Sequence, residues 1–489
     1  MSKRFVLHGR SAMASGYDIK DLEYWDSCVR EKVEEFGLSV YPQEFELCDS
    51  GQMLSYMAYH GMPSHYSHWS YGKAYERLKT LYDYGVTGLP YELVINANPC
   101  LAYLMRKNSL CLQILTIAHV YGHNDFFKNN IALRHTNAGQ IFSTFKARAD
   151  RVRGYVEDPS IRFGRVEGLL DAAHALSFQC ERNLEIRKLS REQQIAHTIA
   201  AAQSLVDPYR RIHEHAPFIE PDLNKDPLEP EENLLLFIRD HNPRLSAWEK
   251  DLLTIVHEEA QYLAPHIHTK IMNEGWATYW HWRIMNSLEL PQDLHLEFLV
   301  RHNQVVRPIP GEINPYHLGF KVWADIRRRY DDPTPDEIDN YGPPQKSGAE
   351  KIFEVRECDR DVSFLRRFLT KELIREFGLF QYAIKGDALV ATKVADEEGW
   401  HEIKETLLRN VGMGGVPVIR VIDADHGRKG QLFLRHEHDG RDLHLEYAER
   451  TLSHVHELWG RRVVLETILD DEQYLLQIDD QGFSTKPIH

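Results

Sequence analysis

Apolar positions recur at helical spacing across residues 18–36, and Asp18 is placed to cap the helix they predict. Residues 53–88 are rich in Tyr and Gly, which predicts ordered loops joining short helices. Residues 92–97 read as a short strand, and 99–127 turn strongly apolar and helical. Two more helices are predicted within 161–206. An acidic, proline-rich break at 217–233 reads as an exposed loop, because helical patterning resumes on both sides. Residues 248–263, 270–288 and 292–304 predict three further helices, with Pro265 and Pro291 as stops.

Beyond a second proline-rich break at 330–348 the texture changes. Residues 380–393 predict two strands around a Gly386-Asp387 turn. Residues 418–422, 431–435, 443–447 and 462–466 alternate at period two, interrupted by helices near 401–409 and 448–459. No internal repeat is visible at solenoid periods. The expected fold class is α+β: a mainly helical domain over 1–329, with a zincin-like arrangement open to it, a linker at 330–349, and a smaller α+β domain over 350–489.

Composition narrows the partners. Apolar residues make up 43% and charged residues 27%, as in ordinary globular proteins, and the net charge of −15 argues against a nucleic-acid backbone as a general partner. The Arg327-Arg328-Arg329 run is followed by Asp331 and Asp332 and reads as a solvated helix end. Six scattered cysteines without a CxxC pair fit free thiols in a reducing compartment. No apolar run suits a signal peptide or a membrane span, so the expectation is a cytoplasmic protein.

Histidine is over-represented, with 27 in the chain, and several are clustered. His119 and His123 stand four apart at the end of an apolar stretch, so on a helix both imidazoles leave one face. That spacing suits two nitrogen ligands on one zinc or iron ion. Val120 occupies the glutamate position of His-Glu-x-x-His, so a general base must come from elsewhere. The bland alternative is a buried pair bonded to Asn124, Asp125 or backbone carbonyls. Glu274 lies among Met272, Trp276 and Trp280, where a carboxylate needs a cation or several donors. Gly275 inside the same helix suggests close backbone approach or room for a ligand.

His119, His123 and Glu274 would make a His₂Glu site with an open position for water. His281, two turns on, could be a fourth ligand or a proton shuttle. The alternative is a Glu274–His281 pair that stabilises helix packing. In His257-Glu258-Glu259 only one carboxylate can face such a site, and it could act as the missing base. His60, His65 and His68, with Tyr66, Trp69 and Tyr71, suit stacking against a sugar or peptide. No nucleophile elbow, P-loop or dinucleotide fingerprint occurs, and residues 412–415 read as a turn.

The segments His119-Val-Tyr-Gly-His-Asn-Asp-Phe-Phe-Lys-Asn-Asn130 and Lys270-Ile-Met-Asn-Glu-Gly-Trp-Ala-Thr-Tyr-Trp-His281 resemble the stage V sporulation protein R family. Pro63-Ser-His-Tyr-Ser-His-Trp69 and Tyr91-Glu-Leu-Val-Ile-Asn-Ala-Asn-Pro99 are also similar to it, and the likeness runs from about residue 15 to the C-terminus. The resemblance implies a cytoplasmic bacterial protein tied to the spore cortex or, in bacteria that form no spores, to stationary-phase stress beside a serine protein kinase. It also implies arginine in place of His257 in many members, which favours Glu258 or Glu259 as the functional group there. The expected activity is metal-dependent hydrolysis of a peptide or amide bond, with a peptidoglycan precursor or fragment as substrate. The competing expectation is a non-enzymatic adaptor working with that kinase.

Overall fold

The computed structural model describes residues 5–7, 16–84, 86, 88, 90–182, 188–204, 221–223, 225–309, 312–379, 381–385, 388–393 and 399–488. The chain opens with β1 (Phe5–Leu7), α1 (Ile19–Glu35) and β2 (Gln43–Cys48). Helices α2 (Ser50–Ala58) and α3 (Trp69–Asp83) lead to β3 (Glu92–Ile95) and β4 (Cys100–Met105). Then come α4 (Leu110–Asn129), α5 (Ile141–Glu157), α6 (Phe163–Ala175), α7 (Arg191–Ser204) and α8 (Leu234–His241). Next are α9 (Ala247–His268), α10 (Lys270–Ser287), α11 (Gln292–Val305), α12 (Pro315–Asp331) and α13 (Pro335–Tyr341). Helices α14 (Gly348–Cys358), α15 (Asp361–Phe368) and α16 (Lys371–Glu376) precede the hairpin β5 (Gln381–Lys385) and β6 (Ala388–Lys393). The chain closes with α17 (Gly399–Asn410), β7 (Ile419–His426), β8 (Gln431–His436), α18 (Leu445–Trp459), β9 (Val463–Leu469), β10 (Glu472–Asp479) and β11 (Gly482–Pro487). This is an α+β fold, helical through most of its length.

The chain divides into two compact units. Unit 1 comprises residues 1–150 and 265–415, and unit 2 comprises 151–264 and 416–489. This cut differs from the pattern-based one at residues 330–349. That stretch holds α13, started by a Thr334–Glu337 capping box, and Ser347 and Glu350 form a second box that starts α14. Gly348 N–H also donates to Asp331 at 2.6 Å, so the segment is built into unit 1.

In unit 1 a four-stranded sheet runs in the order β1-β2-β4-β3, parallel except for the β3–β4 pair. Alternate β4 residues Cys100, Ala102 and Leu104 join the hydrophobic core along with Ile114, Ile117 and Tyr121 of α4. Residues 100–105 therefore form a strand, where the pattern predicted helix. The run Cys-Leu-Ala-Tyr-Leu-Met is apolar without a period, and pairing on both edges decides its state. Helix α4 begins only after Ser109, whose hydroxyl accepts from Leu112 N–H at 3.3 Å. Every residue from Cys111 to Phe127 is buried, so α4 is a core helix with no solvated face.

Helix α10 packs against α4 on one side and α12 on the other. Small residues set both crossings. A Cβ on Gly122 would lie 2.6 Å from Ala277 Cα, and one on Gly275 would lie 2.4 Å from Gly319 Cα. Close backbone approach is thus the reason for glycine at 275. Behind this layer, the buried Asp125 carboxylate accepts from Arg356 of α14, Trp276 Nε1 of α10 and Ser39 N–H. One carboxylate thereby ties α4, α10 and α14 together.

Unit 2 is built on a five-stranded sheet ordered β11-β10-β9-β8-β7, with α18 against it and only the β8–β9 pair parallel. Residues 443–447, expected as strand, instead lead into α18 at Leu445. Pro265 does not end α9, which continues to His268. The predicted Gly386-Asp387 turn and part of the 217–233 break lie outside the described residues. No described helix is long and apolar enough to cross a membrane.

Candidate metal centre

Helix α4 presents His119 and His123 one turn apart, with ring centroids 4.6 Å from each other. Helix α10 presents Glu274 opposite them. Its Oε2 lies 3.7 Å from His119 Nε2 and 3.5 Å from His123 Nε2. A fourth group comes from β3. Glu92 pairs in register with Leu104, so it faces the α4 side of the sheet, and its Oε1 lies 3.9 Å from His119 Nε2. Ligand atoms of Glu92, His119 and His123 all fall within 4.8 Å of one another.

The outer nitrogen of each histidine is tied down. His123 Nδ1 lies 2.8 Å from Asn273 Oδ1, an oxygen that only accepts, so this ring carries its proton on Nδ1 and turns the Nε2 lone pair inward. His119 Nδ1 contacts His281 Nδ1 at 2.9 Å, which leaves its Nε2 facing the two carboxylates. His119 Nε2 and Glu274 Oε2 are both buried without a hydrogen-bond partner. The nitrogen–carboxylate separations of 3.5–3.9 Å among His119, His123, Glu274 and Glu92 are too long for hydrogen bonds. They are close to the spacing of about 3.3 Å between donors that share one tetrahedral zinc at bond lengths of about 2.0–2.1 Å. Neutral imidazoles, carboxylates and inward lone pairs are the donor set of a zinc or iron site, and the residues present fit one.

Burial governs the protonation states. It pushes His123 down to about 4, against the upward pull of Glu274, so this ring is neutral at pH 7. Burial and the neighbouring Glu274 charge raise the Glu92 carboxyl to about 7, while His119 opposes the shift. Burial also acts upward on Glu274, but His123 and His119 outweigh it and hold that carboxyl below its ordinary value. Tyr316, near the start of α12, lies beside the cluster. Its ring is roughly parallel to that of His119 with centroids 6.0 Å apart. The Glu274 charge, burial and Glu92 hold its phenol well above 10, so it stays a donor.

The N-terminus of α10 lacks a side-chain cap of its own. Asp361 of α15 supplies one, its two oxygens accepting from Ile271 N–H and Met272 N–H at 2.9 Å each. Thus the first turn before Glu274 is fixed by a residue far along the chain.

The structure brings His119, His123 and Glu274 together. His281 lies behind His119 on its Nδ1 side rather than in the inner cluster. Glu258 and Glu259 belong to unit 2, on α9, where Glu259 is buried and His257 lies beside Asn233 at 3.4 Å. In the loop after α2, His65 packs among Tyr59, Tyr66, Tyr71 and Phe145, and His68 caps α3. Pattern reasoning assigns no role to Glu92, Asn273, His302 or Tyr316. Glu92 and Asn273 sit inside two of the four family-like segments, Tyr91–Pro99 and Lys270–His281, which is the available signal. His302 and Tyr316 carry none.

The family description "SpoVR like protein" matches residues 16–416, and "SpoVR-like C-terminal domain" matches residues 417–470. The chain belongs to the SpoVR family. It is similar to the protein named "Uncharacterized protein YcgB" of Escherichia coli (strain K12), at 35% identity over 463 residues and 89% of each chain. No solved structure matches. All residues of the candidate centre fall in the first SpoVR segment. The unit boundary between Gly415 and Val416 lies at the junction of the two matches.

Proposed function

We propose that this SpoVR protein is a metal-dependent hydrolase of an amide or peptide bond, with zinc as the first candidate and iron as the second. The observation that carries the reading is the convergence of His119, His123 and Glu274 on one buried point, with two polar atoms there lacking hydrogen bonds. These three side chains would hold the cation. When bound, such a cation lowers the pKa of a water and polarises a carbonyl.

Glu92, the second carboxylate beside His119, would take the proton from that water. Glu258 and Glu259 lie on α9 within unit 2 and have no part in this reading. Tyr316 keeps its proton and offers a donor to an oxygen gaining negative charge. The family context favours a peptidoglycan precursor or recycled fragment met in the cytoplasm.

The test is metal content of untagged protein for wild type, His123→Ala and Glu274→Ala, followed by amide substrates. Near-stoichiometric zinc or iron in wild type, lost in both variants, is the expected result. Glu92→Gln should keep the metal and lose turnover, whereas Glu259→Gln should keep both. No metal in correctly folded wild type would overturn the reading and leave an adaptor that acts through a kinase partner.

A further inference from the structure

Three imidazoles from three helices form a continuous chain. His119 of α4 meets His281 of α10, Nδ1 to Nδ1, at 2.9 Å. His281 Nε2 then meets His302 Nδ1 of α11 at 2.9 Å. All three rings are buried. His302 is caged by Trp282, Phe298 and Phe320, with ring centroids at 4.4, 6.1 and 5.3 Å.

Each neutral imidazole has one N–H and one lone pair, so the two contacts allow only two proton arrangements. In one, His119 Nδ1–H donates to His281, and His281 Nε2–H donates to His302. In the other every donor is reversed, and His119 carries its proton on Nε2, inside the centre. A cation on His119 Nε2 is compatible with the first arrangement alone. A ligating histidine is ordinarily oriented by a carboxylate or a carbonyl, which imposes one tautomer. Here a second histidine does so, and its own state is set by a third.

We propose that His281 and His302 are positioning residues, a two-imidazole relay that locks the tautomer and ring orientation of His119 as a metal ligand. This rests on the metal reading above. The part played by His302 is to accept the His281 N–H, 21 positions later in the chain, while its aromatic cage holds the ring in place.

The test compares wild type with His302→Gln, which retains an acceptor, and with His302→Leu and His302→Phe, which retain none. Zinc affinity is read by competition with a chromophoric chelator, and folding by thermal melting. Loss of the acceptor should weaken zinc binding roughly 10–100-fold, with the Gln variant close to wild type. Either apolar variant serves if the other does not fold. Wild-type affinity in a folded apolar variant would overturn the proposal, and so would a Gln variant as weak as the apolar ones.

The second readout needs no metal: the ¹⁵N imidazole spectrum of metal-free protein above pH 7. One tautomer of His119 in wild type and an averaged mixture in the apolar variants is the expected result. Identical spectra would overturn the relay. If wild type binds no zinc, the metal reading fails while this spectrum still decides the relay.

Discussion

His123 of α4 and Asn273 of α10 meet across the two central helices, Nδ1 to Oδ1 at 2.8 Å. The residue after Asn273 is Glu274, so one turn of α10 supplies both the group that orients a histidine and the carboxylate facing it. Removing the amide should free the His123 ring to rotate and to exchange its proton between nitrogens. Asn273→Leu should therefore lower zinc affinity by roughly 10–100-fold, while Asn273→Asp, which keeps the acceptor, holds most of it. Isothermal titration of metal-stripped protein measures this. Equal affinity in the Leu variant would show that the contact does not orient a ligand.

A second prediction concerns the crossing of α10 and α12. A Cβ at Gly275 would lie 2.4 Å from Gly319 Cα and carbonyl carbon and 2.9 Å from Phe320 N, all backbone atoms that cannot step aside. Alanine would gain about 1 kcal/mol of helix propensity. The overpacking penalty, typically about 1–3 kcal/mol and larger against backbone, should exceed that gain. Gly275→Ala is expected to destabilise unit 1 and to push α12, with Tyr316, away from Glu274. Urea unfolding reads the first effect. A variant at least as stable as wild type would contradict the close crossing.

The parts of the centre legible in the sequence were those encoded within one helix. His119 and His123 stand one turn apart on an apolar segment, and Glu274 is a carboxylate among aromatics, so each carries its own local anomaly. Glu92 has none. It opens an ordinary strand, and it reaches His119 only because β3 pairs with β4 so that Glu92 and Leu104 face α4 together. His302 enters through the packing of α11, and Asp361 caps α10 from 90 residues away. The strand at 100–105 was hidden because a doubly paired strand and a core helix can both be uniformly apolar. The cut between units was hidden because both halves of unit 2 come from separate stretches of chain, and no local composition shift marks that.

Acid should weaken unit 1 in a defined window. Burial pushes the His302 imidazole down to about 4, with His119 adding to the shift, against about 6.5 in an unfolded chain. Between those values the unfolded state binds more protons, so stability rises with pH. The contribution is fully present above about 6.5 and is lost as pH falls toward 4, at most about 3 kcal/mol for this group. His281 is shifted in the same direction by the same cause. Urea midpoints at pH 7 and pH 5 should differ more in wild type than in His302→Leu. The same pH slope in both would show that His302 is not held neutral by the fold.

The Asp125–Arg356 pair makes the sharpest stability prediction. Arg356 Nη1 lies 2.7 Å from both carboxylate oxygens, and both side chains are almost wholly buried. Trp276 Nε1 and Ser39 N–H also donate to that carboxylate, so it is well solvated by the protein as long as the guanidinium stays. Arg356→Met would leave a buried carboxylate facing only neutral donors, a loss of roughly 3–5 kcal/mol. Burial already raises the Asp125 pKa against the pull of Arg356, so the variant should take up a proton at Asp125 as the cheaper state. Its stability should then improve as pH is lowered through the weakly acidic range, opposite in sign to the histidine effect. Asp125→Asn with Arg356→Met removes both charges and should recover part of the loss. If the single variant unfolds in urea like wild type at pH 7, the pair is not what holds α4, α10 and α14 behind the candidate centre.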